Sequence, residues 1–431
     1  METFYSQSTL EMLPDEILLE ICKYLLCSDI LRSFIGLNYR MTQMITEYCR
    51  HVSFYKASVL TSNYLCINVV PQIGSHVRSL VIDRSYSYFQ DELFMEHFGE
   101  KISMIFPKLE RINLSYYEHD RLVRFLDILH DLNYLIEIRL YQLFDIQTSH
   151  QATLVRSLCQ ANNHRFTSIL MDDQSSCLKF DDTDRYLNVL RLRINLTNVI
   201  DLPALFAAVP NLHYLDVVIN EGSNDSELLD EMKFFPLLHL TDFQLKSLRH
   251  GWMLEELSTL LIQLPIVQHL SLFLSTYDSQ FVEGNILLSL LPSTIQQFNY
   301  AIRYFYDSAF DEADEIIIPW PSSNPIICSL NDDSLFLHTL PWHFPRIEFS
   351  LLHNKMVSCS TNNVAVYDRN VEEVDIWVNS NFALTRSLST VSQCCRARVI
   401  TIYVTQEDDT MKGTYLIAEN DYFFCKHFMI D

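Results

Sequence analysis

The sequence predicts an α/β chain: a small N-terminal domain of three short helices, then a curved array of stacked repeats. In such an array parallel strands line the concave face and helices return along the convex face. Three observations carry this expectation. An apolar stripe at helical spacing opens at residue 13. One short apolar pattern then recurs nine times, and apolar stretches of helical spacing lie between its copies.

The first element is LPDEILLEICKYL, residues 13 to 25. Pro14 suits a first helical turn, and Asp15 and Glu16 suit the positive end of the helix. Leu18, Ile21, Cys22 and Leu25 fall at i, i+3, i+4 and i+7, while Ile17 and Leu19 are apolar off that stripe. A helix apolar beyond one face has more than its own small core to cover, which invites a partner. Ser28 offers an N-cap for a second helix carrying Leu31, Phe34 and Ile35, with Gly36 or Asn38 to end it. Met41, Met44, Ile45 and Tyr48 repeat the helical spacing. Three helices this short make a domain of low stability alone, and docking would help it.

These residues resemble the F-box over about residues 10 to 48. Leu13-Pro14, Glu16-Ile17, Ile21, Tyr24-Leu25 and Asp29-Ile30 match its outline. The closing element departs from it: Asn38-Tyr39-Arg40-Met41 stands where the family has Cys-Arg-x-Trp, with Arg40 keeping the basic position. The resemblance implies binding to a Skp-type adaptor, and through it to a cullin–RING ubiquitin ligase. It places Leu13, Pro14, Ile17, Ile21, Leu25 and Ile30 against that adaptor. The alternative is an N-terminal cap, which a repeat array also needs.

The recurring pattern is apolar, two residues, apolar, one residue, apolar. It runs through Val77-Leu80-Ile82, Leu109-Ile112-Leu114, Leu135-Ile138-Leu140, Phe166-Ile169-Met171 and Leu187-Leu190-Leu192. It continues in Leu212-Leu215-Val217, Leu240-Phe243-Leu245, Val267-Leu270-Leu272 and Ile295-Phe298-Tyr300. Successive first anchors lie 21 to 32 residues apart, clustering in or near the range of about 20–29 typical of leucine-rich repeats. Pro107, Pro210 and Pro265 each precede an anchor by two residues. After Tyr300 the pattern breaks at an acidic run, 307 to 315, and a Pro-rich stretch, expected as a surface loop. It resumes irregularly at Phe344-Ile347-Phe349, Val371-Val374-Ile376 and Ala397-Ile400-Ile402. The expected organisation is therefore an F-box-like domain (8–50), a linker or first cap (51–75), the repeat array (76–304), an insertion (305–335) and closing repeats and strands (336–431).

Anchors of a repeat strand point inward, so the residues between and beside them face the concave side. That column reads Asp83, Asn113, Arg139, Asp172, Arg191, Arg193, Asp216, Gln244, Ser271 and Asn299, flanked by Tyr116, Tyr141, Tyr214 and Phe273. Mixed polar residues of both charges beside large aromatics suit recognition of a protein target. Any one of them alone reads better as a solvated strand residue.

Composition narrows the function classes. The net charge of −23 repels phosphate backbones and anionic lipid, so nucleic acid and membrane are excluded as expected partners. Eleven cysteines with no CxxC pair argue for a reducing compartment, cytoplasmic or nuclear, and against a zinc site. The apolar stretch 257 to 275 carries Gln263, Pro265, Gln268 and His269, so it reads as helix–turn–strand and not as a membrane span. No P-loop, dinucleotide fingerprint, HExxH or GxSxG occurs, and His338, His343 and His353 lack a carboxylate or cysteine at ligand spacing. Cys394-Cys395, followed by Arg396 and Arg398, is the only arrangement resembling an activated thiol. No cofactor, metal or catalytic residue is expected. The expected function is substrate recognition for a Skp–cullin–F-box type ligase, with a non-ligase repeat scaffold as the alternative.

Overall fold

The computed structural model describes residues 12–48, 50–181, 183–221, 234–306, 320, 326–330, 334–339, 342–344, 346–350, 355–358, 373–379, 399–406 and 409–416. The chain is a mixed α/β protein with a mostly parallel sheet. It forms two compact units, residues 1–197 with 204–214 and residues 198–203 with 215–431.

The first unit opens with α1 (Asp15–Cys22), α2 (Cys27–Phe34) and α3 (Tyr39–Tyr48). Their shared core is Leu18, Ile30, Leu31, Phe34, Ile35, Met41, Met44 and Ile45, the apolar residues that recur at three- and four-residue steps. The stretch expected as a linker or first cap is largely helical, from Val59–Tyr64 through Gly74–His76. Six strands follow one another in sheet and sequence order: β1 (His51–Ser53), β2 (Ser79–Asp83), β3 (Arg111–Ser115), β4 (Glu137–Tyr141), β5 (Ser168–Met171) and β6 (Arg191–Leu196).

The apolar pattern sets the register of this ladder. Leu80 pairs Ile112, Ile112 pairs Ile138, Ile138 pairs Ile169, and Ile169 pairs Leu192. The fifth copy is a correction: Leu187 and Leu190, expected as anchors, are exposed, and Val189, Leu192 and Ile194 take the buried positions two residues on. The five residues paired here form one inward row. All are buried, because a one-residue slip would turn the whole anchor row to the opposite face. Helices Gln90–Phe98, His119–Ile128 and Thr148–His164 connect successive strands and bring Phe94, Phe125 and Leu154 into the core. The ring of Phe94 lies 5.7 Å from Phe106 and 5.9 Å from Phe125. Between β5 and β6, where the anchors are closest in sequence, no helix occurs among the described residues.

Asparagines bond the turns that lead into the strands. Asn162, at φ 51° and buried, donates through Nδ2 to the carbonyls of Leu132 (2.8 Å) and Leu135 (2.9 Å) and accepts from the Leu132 N–H. Asn tolerates this left-handed backbone, and its amide satisfies turn groups that a buried loop leaves unpaired. Asn188 bonds the Cys159 and Phe166 carbonyls in the same manner.

The second unit contains β7 (Tyr214–Ile219, from Leu215), β8 (Asp242–Gly251), β9 (His269–Thr276) and β10 (Gln297–Phe305). The last three pair in parallel, with Phe243 opposite Leu270 and Leu270 opposite Phe298. The stretch 257–275 falls in helix Leu254–Ile262, a turn and β9, as its polar interruptions require. Next come β11 (Ile326–Leu330), β12 (Ser334–Thr339), β13 (Arg346–Ser350), β14 (Lys355–Ser358), β15 (Glu373–Asn379), β16 (Val399–Gln406) and β17 (Asp409–Leu416). Here the ladder changes sense: the order beyond β10 is β12, β11, β14, all antiparallel. The short link between β11 and β12 cannot make the long crossover that parallel pairing needs.

A separate sheet joins β13, β15, β16 and β17. Ile347 pairs Val374 and Val374 pairs Ile400, so the three irregular copies expected near the C-terminal end lie in parallel register. The acidic run 307–315 lies outside the described residues. Trp320, from the Pro-rich stretch beside it, is buried: its Nε1 donates to the Val282 carbonyl at 2.8 Å and its ring stacks on Tyr300.

Candidate functional site

Two surfaces of the first unit are built for contact. The first is the outer face of α1 and the turn after it. Leu18 is wholly buried, yet Ile17 is 48% and Tyr24 75% exposed, with Ile21, Leu25 and Leu26 exposed beside them. Pro14 is exposed and Leu13 half-buried. Met12, Leu37 and Tyr39 extend the apolar surface. The helix spacing divides these residues: Leu18 turns inward, whereas Ile17, Ile21 and Tyr24, at steps of four and three, turn outward. Ile30 is a correction. It was expected against an adaptor but is only 8% exposed, because Ile30, Leu31 and Phe34 share the inward side of α2.

Arg40 sets the entry of α1. Its Nη2 donates to the Leu13 carbonyl at 2.6 Å and to Asp15 Oδ1 at 2.5 Å, while Nε donates to the same Oδ1 at 2.9 Å. A guanidinium presents several donors in a fixed fork, which suits one side chain to holding both a carbonyl and a carboxylate. Cys27 ties α2 to β1, with its Sγ accepting from the Ser53 N–H at 3.4 Å. Burial pushes the Cys27 thiol up, against the pull of that bond.

The second surface is the sheet face opposite the anchors, with the strand ends that border it. Asn113 pairs Arg139, Arg139 pairs Leu170, and Leu170 pairs Arg193, so Asn113, Arg139 and Arg193 share one row. Arg191 lies in the adjoining row, opposite Ser168, and its guanidinium stacks 5.3 Å from the Tyr214 ring. The charges are paired locally: Arg139 with Glu137 at 2.7 Å, Arg193 with Asp173 at 2.5 Å. Asp172 works within the fold, accepting from the Gln142 N–H (3.0 Å) and the Ser175 hydroxyl. Tyr116 and Tyr141 are exposed at the ends of β3 and β4.

Several residues expected in an exposed column are buried. Asp83 accepts from the Ser85 N–H at 2.9 Å and is covered, as is Asp216 in the second unit. Ser271, Phe273 and Asn299 are covered too. The Phe273 ring meets Trp342 at 5.7 Å and Phe344 at 5.3 Å, with Phe336 at 6.1 Å. Asn299 Nδ2 donates to Ser271 Oγ at 3.1 Å beneath them. The polar face of β9 and β10 is thus closed by the chain's own aromatic segment, and an expected anchor is a core residue. Gln244 stays half-buried at its edge.

The loop after β2 holds what sequence reasoning missed. Tyr86, Tyr88 and Phe89 are all exposed, and Tyr55 beyond β1 joins them. Beneath lies Arg84, wholly buried and paired with the equally buried Asp91 at 3.4 Å. Arg84 Nη1 donates to the Tyr116 carbonyl at 2.9 Å, and its guanidinium lies 5.4 Å from the Tyr88 ring and 5.2 Å from Tyr117. The run SYSYF, placed between an anchor and a helix with no inward spacing, was the available signal.

No family model and no curated protein matches the chain. Function therefore rests on these surfaces. Among the described residues, no group of three or more His, Cys, Asp or Glu side chains could hold a metal ion. None of their helices is long and apolar enough to cross a membrane. Burial lowers the His338 pKa to about 4 and pushes the Cys66 thiol up to about 12, so neither is charged near neutral pH. Cys394, Cys395 and His353 lie outside the described residues.

Proposed function

We propose that this chain is a substrate-recognition subunit of a Skp–cullin–F-box type ubiquitin ligase, in the cytoplasm or nucleus. The carrying observation is the divided helix α1, with Leu18 buried and Ile17, Ile21 and the following Tyr24 and Leu25 exposed on an outer apolar face. That face falls on the residues that resemble the F-box, and Arg40 holds its entry where the motif has a basic residue. Leu13, Pro14, Ile17, Ile21 and Leu25 would meet the adaptor. The repeating register of anchors supports a leucine-rich-repeat solenoid, whose strand surface would hold a target protein. The chain forms no bond itself. It raises the effective concentration of a target lysine near the charged ubiquitin carrier.

The test is co-purification of the intact chain with a Skp-type adaptor, beside Leu13→Ala/Pro14→Ala and Ile17→Asp/Leu25→Asp. Retention by the intact chain and loss in both variants supports the reading. Failure of the intact chain to retain adaptor overturns it in favour of a repeat scaffold capped by its own helices, which the cap-like position of α1 to α3 also accommodates.

A further inference from the structure

Four tyrosines stand at the C-terminal ends of four adjacent parallel strands. Tyr55 follows β1, Tyr86 follows β2, Tyr116 follows β3 and Tyr141 ends β4, and all four are exposed. They follow one another in the order of the strands across the sheet. Tyr55 and Tyr86 meet edge to face at 5.7 Å, and the Tyr116 N–H donates to the Tyr141 carbonyl at 3.0 Å. Tyr116 has φ 62°, a left-handed conformation rare for a bulky side chain, and its phenol feels both Tyr86 and the carboxylates of Asp83 and Asp172. Burial first, then Asp83, push that phenol up.

The backbone at Tyr116, and at Tyr88 in the loop that carries Tyr86, is held from below. Buried Arg84 bonds the backbone of Tyr116 and, at 3.4 Å, that of Tyr88, and Arg121 Nη1 reaches the same Tyr88 carbonyl at 3.2 Å. Fixed rings lose little entropy on binding, which favours recognition. One end of the row is already filled by a cation. Lys56 Nζ lies 5.0 Å from the Tyr55 ring and 5.9 Å from Tyr86, so the corner between them accepts an ammonium. Glu118 and Asp145 lie in the loops after β3 and β4, Asp120 lies in the first turn of the helix His119–Ile128, and the whole chain carries −23.

We infer that this row of Tyr55, Tyr86, Tyr116 and Tyr141 is a docking surface for an extended segment of a target protein bearing arginine or lysine. The segment's cations lie over the rings, with Lys56 giving way at one end. This deepens the proposed function, since it rests on the strand-end surface being the one that faces the target. Electron-rich rings bordered by carboxylates favour cations over anionic or uncharged peptides.

The test uses the full chain and a fluorescein-labelled Arg–Gly repeat peptide, read by anisotropy, with a Glu–Gly peptide of equal length beside it. Tyr55→Ala/Tyr86→Ala keeps the net charge and should weaken the arginine peptide about fivefold or more. Tyr134→Ala, an exposed tyrosine away from the row, should leave it unchanged. Lys56→Asn keeps a residue that tolerates the left-handed backbone and should strengthen binding more than Lys108→Asn, which removes the same charge elsewhere. Equal effects of the row and control variants, or absence of saturable binding, overturn the inference. Ile17→Asp separates the two readings: adaptor retention is lost while peptide affinity stays. Loss of peptide binding with adaptor retention intact refutes the docking surface alone.

Discussion

Arg40 and Asp15, 25 residues apart and on different helices, meet through two guanidinium nitrogens on one carboxylate oxygen, at 2.5 and 2.9 Å. The same guanidinium holds the Leu13 carbonyl, so the entry of α1 is set by α3. Both side chains are nearly half exposed, and such a pair contributes only about 0–1 kcal/mol to stability. Arg40→Ala should therefore barely move the denaturation midpoint. It should instead speed hydrogen exchange at Ile17 and Leu18, whose N–H groups bond the Pro14 carbonyl. Unchanged exchange at both amides would show that the entry is set without Arg40.

Arg84 and Asp91 behave differently because both are fully buried. Burial raises the Asp91 pKa in spite of the opposing pull of Arg84 and Arg121, so the charged pair is held at a cost. Arg84→Met leaves the buried carboxylate only the more distant Arg121, at 3.8 Å, and should destabilise by up to about 3–5 kcal/mol. Arg84→Met/Asp91→Leu should recover most of that loss in urea denaturation. A double variant no more stable than the single one would show that the Tyr116 and Tyr88 carbonyl bonds matter more than charge.

Trp342 closes the polar face of β9 and β10 against Phe273 and Phe344. Trp342→Ala removes a buried indole and should cost about 3–5 kcal/mol. The loss should appear in the near-ultraviolet circular dichroism of the second unit before the first unit melts. A cost near zero would mean that the aromatic segment lies loosely on the sheet.

His338 gives a pH dependence with a definite sign. Burial lowers its folded pKa from the ordinary 6.5 of a histidine to about 4. The unfolded chain therefore binds the extra proton first. Stability is unaffected above pH 6.5 and falls as pH drops from there towards 4. Lowered pKa values at His343 and His51, also led by burial, act in the same direction. His338→Gln should flatten the acid limb of a stability profile, and an unaltered slope would assign it to other groups.

The periodic elements were legible in the sequence. Leu80, Ile112, Ile138 and Ile169 were recognisable as middle anchors because burial on one side of a strand or helix imposes a spacing on neighbours along the chain. The copy at Leu187-Leu190-Leu192 was read two residues early, because Leu187 and Leu190 continue the same apolar alternation before the strand but are exposed. The outer face of α1 was legible only in part: Ile17 was read as off the inward stripe, but Ile21 and Leu25, read as on it with Leu18, are exposed. Ile30 was placed outward by the resemblance, and α2 turns it inward with Leu31 and Phe34.

The exposed column was legible only where nothing comes to cover it. Asn113 and Arg139 remain at the surface, but Ser271, Phe273 and Asn299 obey the same strand alternation and are buried by Trp342 and Phe344. Tyr116 and Tyr141 were legible as aromatics flanking the column, but Tyr55 and Tyr86 join them only when four strands pair in register. Periodicity by itself determined which side of the strands β2 to β5 turns inward, since that follows from local geometry. Which outward side stays open was decided by the tertiary structure alone, because it depends on where distant segments of the chain come to rest.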